Sequence, residues 1–157
     1  MDESLALLVP HDVYEQHAVH IGTNQKSADM KKFLDTLRQD SAGLHLIDVH
    51  ETDSRIRVVA KFLSRYDPER VLVVSARQYG QRPARKFADS IGSMRIVGRF
   101  IPGTLTNSRL RTYIQPEVIL VTDPAAASPA LSEAVKSGLP VVGIWPAKDS
   151  PPNAEPG

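Results

Sequence analysis

The sequence predicts a three-layer α/β domain built on a parallel sheet of about five strands. Two observations carry that reading. Val71, Leu72, Val73 and Val74 form an apolar, largely β-branched run with no polar alternation, as expected of a strand covered on both faces. Strand-like and helix-like segments then alternate at intervals of roughly 20 to 25 residues, which implies crossover connections and helices on both sides of the sheet.

Taken in order, residues 1–23 read as a mobile start and a short approach segment punctuated by Pro10 and Gly22. Met30, Phe33, Leu34 and Leu37 lie at helical spacing, so periodicity predicts a helix over Ser27–Gln39 with Ser27 as its cap. After Gly43, LHLIDV (Leu44–Val49) reads as the first strand. Ile56, Val59, Ala60 and Leu63 form the buried stripe of a helix that Thr52 or Asp53 could cap. VLVVSA (Val71–Ala76) is the second strand. Pro83 suits the first turn of the next helix, Ala84, Phe87, Ala88 and Ile91 its inner stripe, and Gly92 its end. RIVGRF (Arg95–Phe100), VILVTD (Val118–Asp123) and PVVGI (Pro140–Ile144) complete the strands. Ser128 and Pro129 open a last helix, with Leu131, Ala134 and Val135 inward and Gly138 at its end. Residues 101–116 show no helical stripe and read as a loop long enough to be a working surface.

The 157 residues suffice for one domain with a real core, assigned to residues 1–144, followed by a proline-rich, disordered tail over 145–157. No apolar run approaches the ~18 residues of a spanning helix, and the acids of MDESLALLVP are wrong for a secretory signal, so a cytoplasmic protein is expected. Without cysteine there are no disulfides, thiolate metal sites or cysteine nucleophiles. The net charge of +1 conceals a polarity along the chain. Between Ser75 and Gln115, eight bases (Arg77, Arg82, Arg85, Lys86, Arg95, Arg99, Arg109, Arg111) face one acid, Asp89. Removing that excess of seven from +1 leaves the rest of the chain near −6. An anionic partner is one reading; a solvated face paired with acids elsewhere is the other.

Catalytic and cofactor patterns are missing. Neither GxGxxG nor GxxxxGK[ST] follows any expected strand, and Ser75 is not in a GxSxG elbow. Asp48 and Asp123 fall near strand ends, where a cap or turn role outweighs a magnesium site. His17 and His20 have no third ligand beside them, so they read as polar residues. No catalytic residue, metal, cofactor or small-molecule substrate is therefore expected. What remains is the basic zone, with Gln78, Tyr79, Gln81, Thr104, Thr106 and Asn107 interleaved among its arginines. Arginine forks, hydroxyls and amides together suit phosphate and ribose oxygens, and a folded RNA is read mainly through backbone and shape.

The segments AVHIGTNQKSADMKKFL, VVAKFLSRYDPERVLVVSARQYGQRPARKFA, GRFIPGTLTN, PEVILVTDP and EAVKSGLPVV, in that order, resemble the S-two family of small-subunit ribosomal proteins, from about Val9 to Val142. The short distance from Asn107 to Pro116 is similar to the archaeal and eukaryotic branch, which lacks the protruding helical hairpin of bacterial members. The resemblance implies a flavodoxin-like (Rossmann-like) domain with a non-enzymatic role. It would bind small-subunit ribosomal RNA and neighbouring ribosomal proteins, supporting subunit assembly and translation. With the basic zone as the contact surface, the expected RNA-binding set is Lys26, Lys31, Arg77, Gln78, Arg82, Arg85, Lys86, Arg99, Thr104, Thr106, Asn107, Arg109 and Arg111. The resemblance also implies an extended hairpin around Phe33–Arg38, against the helix that periodicity suggests. After Gly143, IWPAKDSPPNAEPG departs from the family pattern of a further strand and helix, so a C-terminally truncated, less stable domain is expected. A flavodoxin-like nucleotide or small-molecule enzyme, and a truncated paralogue that no longer assembles, are the alternative readings.

Overall fold

A computed structural model describes residues 6–22, 34–39 and 43–145, the second segment by its backbone. These residues fall into two compact units, one up to Ala60 and one from Lys61 to Trp145.

In the first unit, α1 (His11–Gln16) follows Pro10, and β1 (Leu34–Gln39) pairs antiparallel with β2 (His45–Ile47). Residues 34–39 are therefore strand, as the extended hairpin implies, and not the C-terminal half of a helix; residues 27–33 lie outside the described set. Pairing across the sheet satisfies backbone groups that local helical spacing alone would have left to an isolated helix. The expected first strand of the parallel sheet is likewise corrected: β2 belongs to this separate two-stranded sheet. On its other side the Gly22 amide donates to the His45 carbonyl at 2.8 Å and the Ile47 amide to the His20 carbonyl at 2.7 Å. A Cβ on Gly22 would stand 2.8 Å from the His45 oxygen, so this backbone approach requires glycine.

Helix α2 (Val49–Leu63) starts earlier than expected because Asp48 caps it, its Oδ1 accepting from the His50 amide at 2.8 Å and the Glu51 amide at 3.3 Å. Thr52 and Asp53 thus lie inside the helix. The expected stripe is only partly covered, Ile56 remaining 43% exposed, while Val49 and Asp53 are buried. Asp53 replaces that stripe with polar bonds. Its Oδ1 accepts from the Leu8 amide and the Tyr14 hydroxyl, both at 2.8 Å, and its Oδ2 from Arg57 Nε at 3.0 Å. The Arg57 guanidinium also reaches the Ala6 carbonyl, so one carboxylate and its partner fasten the segment around α1 to α2.

Burial pushes the Asp53 carboxyl up, but donors from Leu8, Tyr14 and Arg57 outweigh it and hold its pKa below the ordinary value. Burial, then the Asp53 bond and charge, raise the Tyr14 hydroxyl. The contribution of this cluster is therefore complete between about pH 4 and pH 10. It is lost on the acid side as pH falls through the lowered native value of Asp53, and on the alkaline side as pH rises through the raised value of Tyr14. Melting temperatures measured against pH should show a shallower acid limb in Asp53→Asn than in the parent; superimposable limbs would contradict the assignment.

The second unit contains β3 (Val71–Ser75), α3 (Gln78–Ile91), β4 (Met94–Val97), β5 (Val118–Thr122), α4 (Ser128–Lys136) and β6 (Val141–Ile144). The four strands are parallel in the order β4-β3-β5-β6, one fewer than the five expected, because LHLIDV pairs elsewhere. All five residues of β3 are buried, as a central strand paired on both edges requires. Strand alternation sends Val73 and Leu120 to one face, where Ala84 and Ala88 of α3 cover them. Leu72, Val74, Ile119 and Val121 go to the other, under Phe100, Leu105 and the alanines of α4. The helices meet the sheet through Ala84, Ala88, Ala130 and Ala134, and small residues permit close approach. Larger stripe members stay outside: Phe87 is 37% and Val135 57% exposed.

Helix α3 begins at Gln78, so Pro83 sits within it rather than in its first turn, with no amide hydrogen to offer the Tyr79 carbonyl. Gly92 ends it at φ +74°, the Ser93 amide returning to the Ala88 carbonyl at 2.9 Å. No described helix is long and apolar enough to cross a membrane. The tail residues 146–157 lie outside the described set.

Candidate functional site

In the order β4-β3-β5-β6 the connections leave β3 and β5 in opposite directions, which makes the carboxyl ends of these two strands the place where such sheets hold ligands. A Cβ on Gly80 would lie 2.5 Å from Ser75 Oγ and 3.2 Å from Thr122 Oγ1, so the first turn of α3 rests directly on the strand ends. Ser75 is fully buried and its hydroxyl has no hydrogen-bond partner among the described residues. Asp123, at φ +51°, pairs with the Arg77 guanidinium and accepts the Ala126 and Ala127 amides on its carbonyl, the turn-forming role expected of it. A shallow cavity of about 230 Å³ opens beside Leu105, Tyr113, Pro116 and Leu139. No Asp, Glu, His, Lys or Arg lines it, and it lies near the amino ends of β5 and β6, away from the Ser75 edge.

The basic residues divide into three groups. On α3, Gly80, Ala84 and Ala88 face inward, so Arg82 and Lys86 share the opposite side and Arg85 flanks it; all three are exposed. At the strand ends, Ser75 pairs with Val97 in register, which brings the segments carrying Arg77, Gln78 and Arg99 out side by side. The third group, Arg109 and Arg111 with Thr106 and Asn107, is exposed on the segment joining β4 to β5. That segment packs through Leu105 on the face opposite α3. A single continuous edge from Arg77 to Arg111 is therefore not what the chain builds; alternation in β3 places α3 and the connecting segment on opposite sides of the sheet.

Pairing separates these residues further. Arg77 is engaged by Asp123 and Arg95 by Asp89. Among the described residues no carboxylate pairs with Arg82, Arg85, Lys86, Arg99, Arg109 or Arg111. Thr104 leaves the surface set: it is 3% exposed and its hydroxyl donates to the Ile101 carbonyl at 2.6 Å. Asn107 Oδ1 accepts the Arg109 amide at 3.1 Å, a local turn that presents Arg109 outward. Lys26 and Lys31 lie outside the described residues.

One residue that sequence reasoning missed organises the connecting segment. The Glu133 carboxylate on α4 accepts the Gly103 amide on one oxygen and the Leu105 amide at 3.1 Å on the other. Leu105 is buried, and Gly103 holds φ +92° where a Cβ would meet Leu110 at 2.7 Å. An acid in the small-residue helix SPALSEAVK was the only hint, because its partners lie about 30 residues away.

The family model described as ribosomal protein S2 matches residues 16–115. The chain is 55% identical over 137 residues to the small ribosomal subunit protein uS2 of Methanoregula boonei, covering 87% of this chain and 66% of that protein. It is 47% identical over 154 residues to the small ribosomal subunit protein uS2 of Haloquadratum walsbyi, covering 98% of this chain and 54% of that one. That second match spans nearly the whole chain and so extends beyond Val142. The chain spans a little over half to two thirds of the length of these curated relatives. A parallel sheet covered on both faces, and matches to the family model and to archaeal relatives through the SARQYGQRP and GRFIPGTLTN segments, lead to one assignment: the chain belongs to the ribosomal protein S2 family.

Proposed function

We propose that the chain is a non-enzymatic structural component of the small ribosomal subunit, acting in the cytoplasm on the ribosome. It binds small-subunit ribosomal RNA and neighbouring ribosomal proteins. The observation that supports this most directly is the outer side of α3, where Arg82, Arg85 and Lys86 stand exposed with no carboxylate partner among the described residues. Cations left unpaired on a helix are available for phosphates, and they need no base-reading motif when the partner is a folded RNA. Arg99, Arg109 and Arg111 extend the contact around the strand ends and across the opposite face, where a large RNA can wrap two sides of one small domain. Arg77, held by Asp123, contributes less.

A nucleotide enzyme finds no support in the sequence, where neither GxGxxG nor GxxxxGK[ST] follows a strand. Sucrose-gradient sedimentation of the tagged chain, expressed beside the native ribosomes of an archaeal host, tests the proposal. Co-migration with the small subunit is the expected outcome. A chain that stays at the top of the gradient while a full-length uS2 relative co-migrates would identify a non-assembling paralogue instead.

A further inference from the structure

Tyr79 is 94% exposed, more than any other exposed large hydrophobic residue of the described set, the next being Ile144 at 62%. Its direction is fixed rather than accidental. Gly80, Ala84 and Ala88 recur every four residues on the sheet side of α3, and no side chain larger than glycine fits at 80 because Ser75 Oγ and Thr122 Oγ1 stand in the way. With that side locked inward, helical geometry points Tyr79, Arg82 and Lys86, at i, i+3 and i+7, along the opposite side. The ring therefore projects into solvent with one cation about one turn and another about two turns further along, roughly 10 Å of helix axis in all.

A surface that touches only paired RNA needs cations and hydroxyls, since duplex RNA is contacted through phosphates and ribose. It has no use for a projecting aromatic ring. Unpaired nucleotides differ: each exposes a base face that stacks on an aromatic side chain, while adjacent phosphates take the cations. The charge of Arg82 and Lys86 excludes a cationic partner, and an acidic protein surface would be served by the cations alone.

We propose that Tyr79 is a stacking platform for an unpaired RNA base, with Arg82 and Lys86 holding the phosphates of the same single-stranded segment. The inference rests on the RNA-binding reading above and narrows it to a class of RNA element, a loop, bulge or junction nucleotide in place of a helix.

The test uses the full chain, a 12-nucleotide RNA designed to lack structure, the same strand annealed to its complement, and poly-glutamate as an acidic polypeptide. The parent should bind the single strand more tightly than the duplex. Tyr79→Ala should weaken single-strand binding roughly tenfold. Its duplex binding and its salt dependence should stay as they were, and Tyr79→Phe, which keeps the ring, should bind like the parent. Because the side chain packs on nothing, the urea midpoint of each variant should match the parent, which keeps misfolding out of the comparison. If Tyr79→Ala binds both RNAs like the parent while Arg82→Ala still lowers the salt slope, stacking is wrong and the RNA surface stands. If no arginine substitution alters RNA binding, the RNA-binding reading itself falls. Poly-glutamate that displaces the single strand at equal charge concentration would assign the patch to an acidic protein and overturn the proposal.

Discussion

Changing Arg82 and Arg85 together to alanine lowers the slope of log affinity for small-subunit ribosomal RNA against log salt by about 1.4 to 1.8, if each guanidinium neutralises one phosphate. The affinity difference between parent and variant then changes roughly 25- to 60-fold for each tenfold change in salt. The effect is large because these two side chains have no acid to compete for them among the described residues, so their full charge is presented to the partner. Arg95→Ala supplies the internal comparison. Its guanidinium is already engaged by Asp89, and it should leave the slope close to that of the parent. Filter binding at four or five salt concentrations resolves both, and equal slopes for the double variant and the parent would remove Arg82 and Arg85 from the interface.

Leu72→Ala carries the largest effect on stability. The side chain is fully buried on the central strand β3, between β4 and β5, in the cluster with Val74, Ile119 and Val121 under Leu105 and Ala130. Removing it creates a cavity that the flanking strands cannot close without breaking ladder hydrogen bonds, a change that costs about 2 to 5 kcal/mol. Against a typical total of about 5 to 15 kcal/mol, this is enough to bring unfolding within reach of ordinary temperatures. Ile56→Ala, on α2 at 43% exposure, should cost much less. Urea unfolding separates them: the midpoint falls steeply for Leu72→Ala at an unchanged m value. Midpoints equal within error for the two variants would show that Leu72 is not the core residue its burial indicates.

The parallel strands were legible because burial on both faces leaves a signature in composition. VLVVS and VILVT have no alternation, and each forms a fully or almost fully buried strand. Helix ends were legible where one residue's backbone decides them, as with Gly92. Helix starts were less so. Asp48 and Gln78 begin their helices earlier than Thr52 or Pro83 suggested, because a cap is chosen by the direction in which the chain leaves its strand. The failure over Leu34–Gln39 has the same source. Its apolar spacing is helical, yet its pairing partner His45–Ile47 lies beyond the reach of any local rule, and the family resemblance succeeded there by importing that non-local information.

The candidate surface divides in the same manner. Eight bases against one acid in 75–115 could be counted in the chain, and so could the lack of a phosphate loop. Which of those bases are free could not. Asp123 captures Arg77 across 46 positions, Thr104 turns inward to serve its own loop, and Glu133 anchors that loop from about 30 residues away. By itself the sequence determined the α/β class, the buried strands, the excess of positive charge and the family motifs, since each is written in neighbouring residues. Only the tertiary structure decided that the basic residues lie on two sides of a sheet with Tyr79 at the outward side of one. That arrangement follows from strand alternation and from how closely Gly80 lets α3 approach Thr122 on the neighbouring strand β5, a contact that no single segment encodes.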